Sequence, residues 1–433
     1  MVAIVGRPNV GKSTFFNRVI GSRLAVVHDE PGITRDRLVR RAEWNGVLFE
    51  LVDTGGWVPE ARDHLDAAIL SQVLQAMEAC DLVIFVTDAR AGLQPHDREI
   101  AQALFRQRVR VILAVNKVDA ADVEADAAEF QELGLEEVFS IAAESGRGVG
   151  DLLDGVVRAL PPRGSSEEDP NVIRTAVVGR PNVGKSSIVN RLLRQERMIV
   201  DSVAGTTRDA VDSPLRYHGR PLVLVDTAGL RRKLDSQPSW EFYATLRALR
   251  ALDRSDVAVL VLDGSGPINR QDARIGDMIL QAGVACVIAV NKWDLVVKDN
   301  TTAGAFVERI RESMPFLTHA PVELVSALTA QRISRLPEAV VRVHDEARRE
   351  VPTSQWNEIL KKAVERVPPV SYRSQRPVRI YYATQVRTAP PTVAIFVSDP
   401  RRVAPDYVRY LTGRFREALG FEGNPIRLVL RKS

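Results

Sequence analysis

Gly6-Arg7-Pro8-Asn9-Val10-Gly11-Lys12-Ser13 returns without a change as Gly179-Arg180-Pro181-Asn182-Val183-Gly184-Lys185-Ser186, 173 residues downstream (179 minus 6). The pattern G-x-x-x-x-G-K-S has a mechanical reason at each fixed position, and its intact repetition marks an internal duplication. In each copy an apolar strand, Val2 to Val5 or Ala176 to Val178, leads in, and a helix beginning near Lys12 or Lys185 leads out. The glycines let the backbone curl with its amides turned inward. The helix N-terminus adds its positive end, so a di- or triphosphate is gripped mostly by main-chain donors. Lys12 and Lys185 are predicted to reach the β- and γ-phosphates, and Ser13 and Ser186 to give Mg²⁺ a hydroxyl, since that ion takes only a few protein oxygens. Thr14 and Ser187 continue the cradle into the helix.

Forty-one residues past each lysine (53 minus 12, 226 minus 185) an apolar run ends in an aspartate, in Asp53-Thr54-Gly55-Gly56 and Asp226-Thr227-Ala228-Gly229. An aspartate closing a buried parallel strand beside the cradle binds Mg²⁺ directly or through water, and Gly56 or Gly229 offers an amide to the γ-phosphate. Between the two motifs lie Gly32-Ile33-Thr34-Arg35-Asp36 and Gly205-Thr206-Thr207-Arg208-Asp209, again 173 apart (205 minus 32). Thr34 and Thr207 are predicted to complete the Mg²⁺ sphere when a γ-phosphate is present and to be released after hydrolysis. A helix cap is the competing reading of Thr-Arg-Asp.

The nucleotide base is addressed farther on, by Asn116-Lys117-Val118-Asp119 and Asn291-Lys292-Trp293-Asp294, each directly after an apolar strand. A carboxylate accepting hydrogens from N1 and the exocyclic amine selects guanine. Adenine presents the opposite pattern, and the unpaired buried carboxylate would then discriminate against it by roughly several powers of ten. The asparagine is predicted to brace the phosphate loop and contact N7, with the lysine stem covering the base. In this order the motifs point to GTP.

These residues resemble the EngA (Der) family of bacterial GTPases, which carry two tandem G domains and a KH-like C-terminal domain; the likeness covers essentially the whole chain of 433 residues. The resemblance implies GTP hydrolysis in the service of large-ribosomal-subunit assembly, with the large subunit or its precursor and its rRNA as partners. Ras-type enzymes place a water-orienting glutamine just after Asp-x-x-Gly, where this chain has Trp57 and Leu230. GTPases similar to this one use a K⁺ ion held partly by the P-loop asparagine, a position matched by Asn9 and Asn182. The resemblance also places Ser326-Ala327 near the guanine O6, where the contact is a backbone amide; the first copy has Ala142-Ala143 there. The second copy alone carries a basic run, Leu230-Arg231-Arg232-Lys233, in the segment expected to move with nucleotide.

Composition fits this plan. With 45% hydrophobic residues the chain can bury two or three ordinary cores. Strands alternate with helical stretches through both copies, so each should be a doubly wound, mainly parallel α/β domain with its nucleotide at the carboxyl ends of the strands. No apolar run reaches the ~20 residues of a membrane span. The cradle's start at residue 6 leaves no room for a signal peptide, and the sequence reads as cytoplasmic and monomeric. Cys80 and Cys286 read as buried small apolar residues rather than a disulfide or metal pair.

The first G domain should occupy 1–160, a polar, proline-bracketed linker 161–172, and the second G domain 173–350. The remainder, 351–433, reads as αββαβ, a two-layer module resembling the family's KH-like domain. It holds 15 Lys and Arg against 6 Asp and Glu, while the other residues hold 44 against 49, a split hidden in the net charge of +4. Such clustering is the footprint of phosphate-backbone binding, with no DNA partner expected. Tyr372, Tyr381 and Tyr382 are placed to stack on bases, or to pack across strands. Gly420-Phe421-Glu422-Gly423 looks like the G-x-x-G loop of RNA-binding KH domains, but it lies between a helix and a strand and reads as a helix stop. Two other readings remain open. A nucleotide kinase would need a second substrate pocket and a lid, and a GTP-dependent RNA-binding scaffold would hydrolyse little, with one G domain only regulatory.

Overall fold

A computed structural model describes residues 1–21, 39–54, 80–106, 109–119, 127–160, 171–194, 198–199, 212–227, 240–297, 299, 301–369 and 378–433. Thr34, Gly55, Gly56, Trp57, Thr207, Ala228, Gly229, the basic run at 230–233, residues 161–170 of the linker and Tyr372 lie outside them.

The first sheet is built from β1 (Val2–Val5), β2 (Val39–Trp44), β3 (Val47–Asp53), β4 (Leu82–Asp88), β5 (Arg110–Asn116) and β6 (Glu137–Ser140), in the order β2-β3-β1-β4-β5-β6. All its pairings are parallel except β2 with β3. The second sheet comprises β7 (Ile173–Val178), β8 (Met198–Ile199), β9 (Ser213–Tyr217), β10 (Arg220–Val225), β11 (Val257–Asp263), β12 (Ala285–Asn291) and β13 (Val322–Leu324). Its order, β13-β12-β11-β7-β10-β9-β8, repeats the first around the strand that enters the phosphate loop. The duplication read in eight residues thus extends to the topology of two G domains.

Why these runs are strands follows from their burial. β1, β4 and β12 are buried at every position, the mark of a parallel strand covered on both faces. Alternate residues of β1 serve opposite cores: Ala3 and Val5 pack with Phe85 and Leu104, while Val2 and Ile4 pack with Phe15 and Leu152. β7 divides the same way, Ile173 and Val177 to one side, Ala176 and Val178 to the other. Both cysteines are buried and neither forms a disulfide; burial pushes the Cys286 thiol up to about 12.

The C-terminal module follows the αββαβ order: helix Thr353–Arg366, β14 (Ile380–Arg387), β15 (Thr392–Val397), helix Pro405–Leu419 and β16 (Arg427–Lys432). The helix before it, Arg335–Ala347, ends the second G domain. Trp356 is fully buried, edge-on to Phe415 at 4.9 Å and stacked with Phe421 at 6.0 Å.

This module and the second G domain belong to one compact unit, and the first sheet to another. The G-x-x-G run is the joint. β13 covers only Ile288 to Val290 of β12, and the carbonyl of Gly423 takes the Cys286 amide beyond that cover, at 2.7 Å. The Gly423 amide donates to His319 O at 2.7 Å, and the fully buried Asn424 donates through Nδ2 to Val343 O at 2.9 Å. Gly423 has φ +73°, and a Cβ there would stand 2.3 Å from Val343 Cγ1. Gly423→Ala should therefore cost about 2–3 kcal/mol, from the left-handed backbone and the crowding together. Urea unfolding of the chain reads this directly, and an unchanged midpoint would refute it.

Candidate functional site: two guanine-nucleotide cradles

Each cradle forms where the strands of its sheet end at their carboxyl termini, as open α/β sheets place their ligands. The first copy brings together the loop after β1, Asp53 closing β3, Asp88 closing β4 and Asn116 closing β5. The register sets the last pair side by side, Asp88 against Asn116, and equally Asp263 against Asn291. Helices start at Lys12 and Lys185 as the motif requires.

The asparagine that opens the base motif ties three segments together. Asn116 Nδ2 donates to Val10 O at 2.8 Å while its Oδ1 accepts from Ala143 N at 2.9 Å; Asn291 does the same with Val183 O at 2.8 Å and Ala327 N at 3.0 Å. Its bracing role is thus fully satisfied, and the alanine amides predicted near O6 donate to it. Gly11 and Gly184 are required by this brace. Each has φ near +95° (98° and 95°), and a Cβ at either would lie 2.2 Å from the asparagine amide. Ser326 Oγ accepts from Thr329 N at 3.1 Å, a hydroxyl that Ala142 cannot supply to the first copy.

Lys12 Nζ donates to the carbonyls of Gly6 at 2.8 Å and Arg7 at 2.5 Å; Lys185 Nζ donates to Gly179 at 2.8 Å and Arg180 at 2.7 Å. Burial pushes both ammonium groups down to about 8, for Lys12 against the attraction of Asp53. A seated phosphate opposes that shift, because an anion favours the charged lysine. Above pH 8 the empty cradle holds a neutral lysine and must take up a proton to bind phosphate, so affinity falls as pH rises. The expected loss is up to about ten-fold per pH unit per site. Calorimetric titration with GDP at pH 7 and 9, in buffers of different ionisation heat, measures both the fall and the proton uptake.

Mg²⁺ fits the residues in place. Asp53 is buried at the strand end that neighbours the phosphate loop, and Ser13 opens the helix with an exposed side chain. When bound, the ion would neutralise charge on the phosphates. Thr54 Oγ1 anchors the turn beyond Asp53 by donating to Ile4 O at 2.7 Å; in the second copy Thr227 Oγ1 instead shares a hydrogen with Ser213 Oγ at 2.8 Å. Asp226 takes the left-handed conformation, φ +56°, and its amide donates to Asp212 Oδ1 at 3.0 Å.

Two supporting carboxylates recur in both copies and were not singled out in the sequence. Asp88 Oδ2 holds Lys117 Nζ at 2.5 Å, and Asp263 Oδ2 holds Lys292 Nζ at 2.7 Å, fixing the lysines whose stems are to cover the base. Both lysines have left-handed backbones, φ +69° and +59°. The second pair of carboxylates is fully buried: Asp97 meets Arg7 Nε at 2.7 Å, and Asp272 meets Arg180 Nε at 3.2 Å. These bridges tie the phosphate loop to the helices Pro95–Phe105 and Arg270–Ala282. Constant spacing was the available signal, since each lysine-holding aspartate precedes its asparagine by 28 residues (116 minus 88, 291 minus 263).

The described site residues are therefore gathered twice at the carboxyl ends of the strands, around the loops that open at Gly6 and Gly179. A model described as "50S ribosome-binding GTPase" matches residues 1–117 and 174–292, and one described as "KH-domain-like of EngA bacterial GTPase enzymes, C-terminal" matches 350–431. Proteins called GTPase Der are similar over the full chain. That of Caldanaerobacter subterraneus subsp. tengcongensis is 46% identical and that of Moorella thermoacetica 47%, each match covering 100% of this chain and 98% of the relative. That of Gemmatimonas aurantiaca is 44% identical at the same coverage. With two P-loop G domains and a KH-like module in one chain, and identity of this level from end to end, the chain belongs to the EngA (Der) family of bacterial GTPases and is a GTP hydrolase.

Proposed function

We propose that this GTPase is a nucleotide-driven switch in assembly of the large ribosomal subunit, meeting that subunit or its precursor and its rRNA, in the cytoplasm and as a monomer. The observation that carries this reading is the seating of a strongly basic module on a G domain. The module's surplus of nine positive charges (15 minus 6) belongs to the same compact unit as the second cradle. Because Gly423 and Asn424 are used up in the joint, RNA is met by other surfaces of the module. Tyr381 is exposed and open to base stacking, whereas Tyr382 already stacks on Phe396 at 4.3 Å. Among the described residues no helix is long and apolar enough to cross a membrane. Sedimentation with ribosomal subunits in GTP, GDP and a nonhydrolysable analogue tests the reading: association must depend on the nucleotide, and absent or state-independent association rejects it.

Mg²⁺ in each cradle is to be held by Ser13, Thr34 and Asp53, and by Ser186, Thr207 and Asp226. A K⁺ ion at Asn9 and Asn182 supplies the charge that an arginine finger provides in other GTPases. Both asparagines adopt left-handed backbones, φ 65° and 61°, with exposed side chains at the rim of the loop. Turnover should rise when Na⁺ is replaced by K⁺, and Asn182→Ala should remove the second site's share of that rise. Equal rates in the two salts defeat the potassium assignment.

A further inference from the structure

The two copies differ at the residue that reads the base. In the first, Arg90 Nη2 lies 2.5 Å from Asp119 Oδ2. Arg90 is set there by the strand before it, since Asp88 caps the Ala89–Ala91 turn by accepting the Arg90 amide at 3.1 Å. Its counterpart two residues past Asp263 is Ser265, whose amide and hydroxyl both return to Asp263 Oδ1, at 3.0 and 2.6 Å. That side chain is spent locally and is too short to serve Asp294. Asp294 Oδ1 is accordingly buried without a hydrogen-bond partner among the described residues. Its backbone is fixed by the Trp293–Leu295 turn, and Trp293 is buried edge-on to Phe306 at 5.6 Å.

From this asymmetry we infer that Arg90 is a specificity-site competitor: it occupies the carboxylate that guanine must take, making the first cradle the weaker-holding and faster-exchanging of the two. The inference rests on Asp119 and Asp294 reading guanine. A base entering the second site meets a carboxylate with no ion-pair partner among the described residues. Entering the first, it must displace a guanidinium, because its two N–H donors need both oxygens and Arg90 engages Oδ2. Arg90 and Asp119 are 62% and 40% exposed at the side chain, so the bridge is of the weak, solvent-screened kind. The expected effect is accordingly modest, about two- to five-fold in affinity.

The test uses the full chain with Lys185→Ala, which silences the second cradle, and measures fluorescent GDP binding and release with and without Arg90→Ala. The arginine variant should bind GDP about two- to five-fold more tightly and release it more slowly, with the difference shrinking at high salt as the ion pair is screened. Its melting temperature in the absence of nucleotide should not rise, which separates competition from general stiffening. In the mirror experiment, Ser265→Arg in a Lys12→Ala chain should weaken the second site. Unchanged or weaker binding on Arg90→Ala overturns the competition. Equal uptake of GDP and ADP by the Lys185→Ala chain would instead strike the guanine reading on which it rests.

Discussion

Lys185→Ala is expected to slow single-turnover GTP hydrolysis at the second site by about 100- to 1,000-fold, the loss typical of one preorganised charge aimed at a developing anion. The lysine is held inside the loop, bound to the carbonyls of Gly179 and Arg180, so its ammonium is fixed within the cradle. Phosphoryl transfer leaves little for the protein to do besides positioning and charge stabilisation. Removing that charge leaves only the amides of the loop, so nucleotide binding at that site falls together with hydrolysis. Lys12→Ala should do the same to the first site. Folding should survive both changes, because alanine is a strong helix former at a helix start, and because burial depresses the lysine pKa to about 8. At pH 7 the native chain thus bears the cost of a desolvated ammonium, which the variants escape, and their melting temperatures should not fall. If both variants turn over GTP at the parent rate, neither lysine supplies the charge that hydrolysis needs.

How much of this could be read before the fold was seen depended on whether a feature was repeated or local. The cradles, both base motifs and the parallel order around β1 and β7 were legible because the same residues at the same spacings occur twice. The αββαβ order of the last 83 residues (433 minus 350) was legible from periodicity, and its charge from counting. What stayed hidden depends on distant contacts. Nothing in Gly420-Phe421-Glu422-Gly423 says that its last glycine will finish the hydrogen bonding of β12, more than a hundred residues earlier in the chain. The buried bridges from Arg7 to Asp97 and from Arg180 to Asp272 were hidden for the same reason, because an aspartate in a first helical turn looks like an ordinary cap until it is found at zero exposure. Arg90 carries no such signal, because it lies in a turn where the second copy has Ser265 at the matching position.

Asp294→Asn should exchange the base the second cradle prefers. The carboxylate has two acceptor oxygens and no donor, which suits the N1 hydrogen and the exocyclic amine of guanine together. An asparagine keeps one acceptor for N1–H but turns a donor toward the amine, so two hydrogens face one another across a buried contact. Xanthine carries an oxygen in place of that amine, and the asparagine amide then finds a partner. The change should be large because a site built to satisfy a partner penalises its absence. GTP affinity should fall by about 100-fold or more and xanthosine triphosphate should become the better ligand. Placing the measurement in a Lys12→Ala chain confines it to one cradle. Asp119→Asn, read in a Lys185→Ala chain, should give the same reversal with a smaller loss for GTP, because the wild-type carboxylate there is already shared with Arg90. A pair of losses equal in size would favour two identical sites, and an unaltered preference for guanine in both variants would remove the aspartates from base recognition altogether.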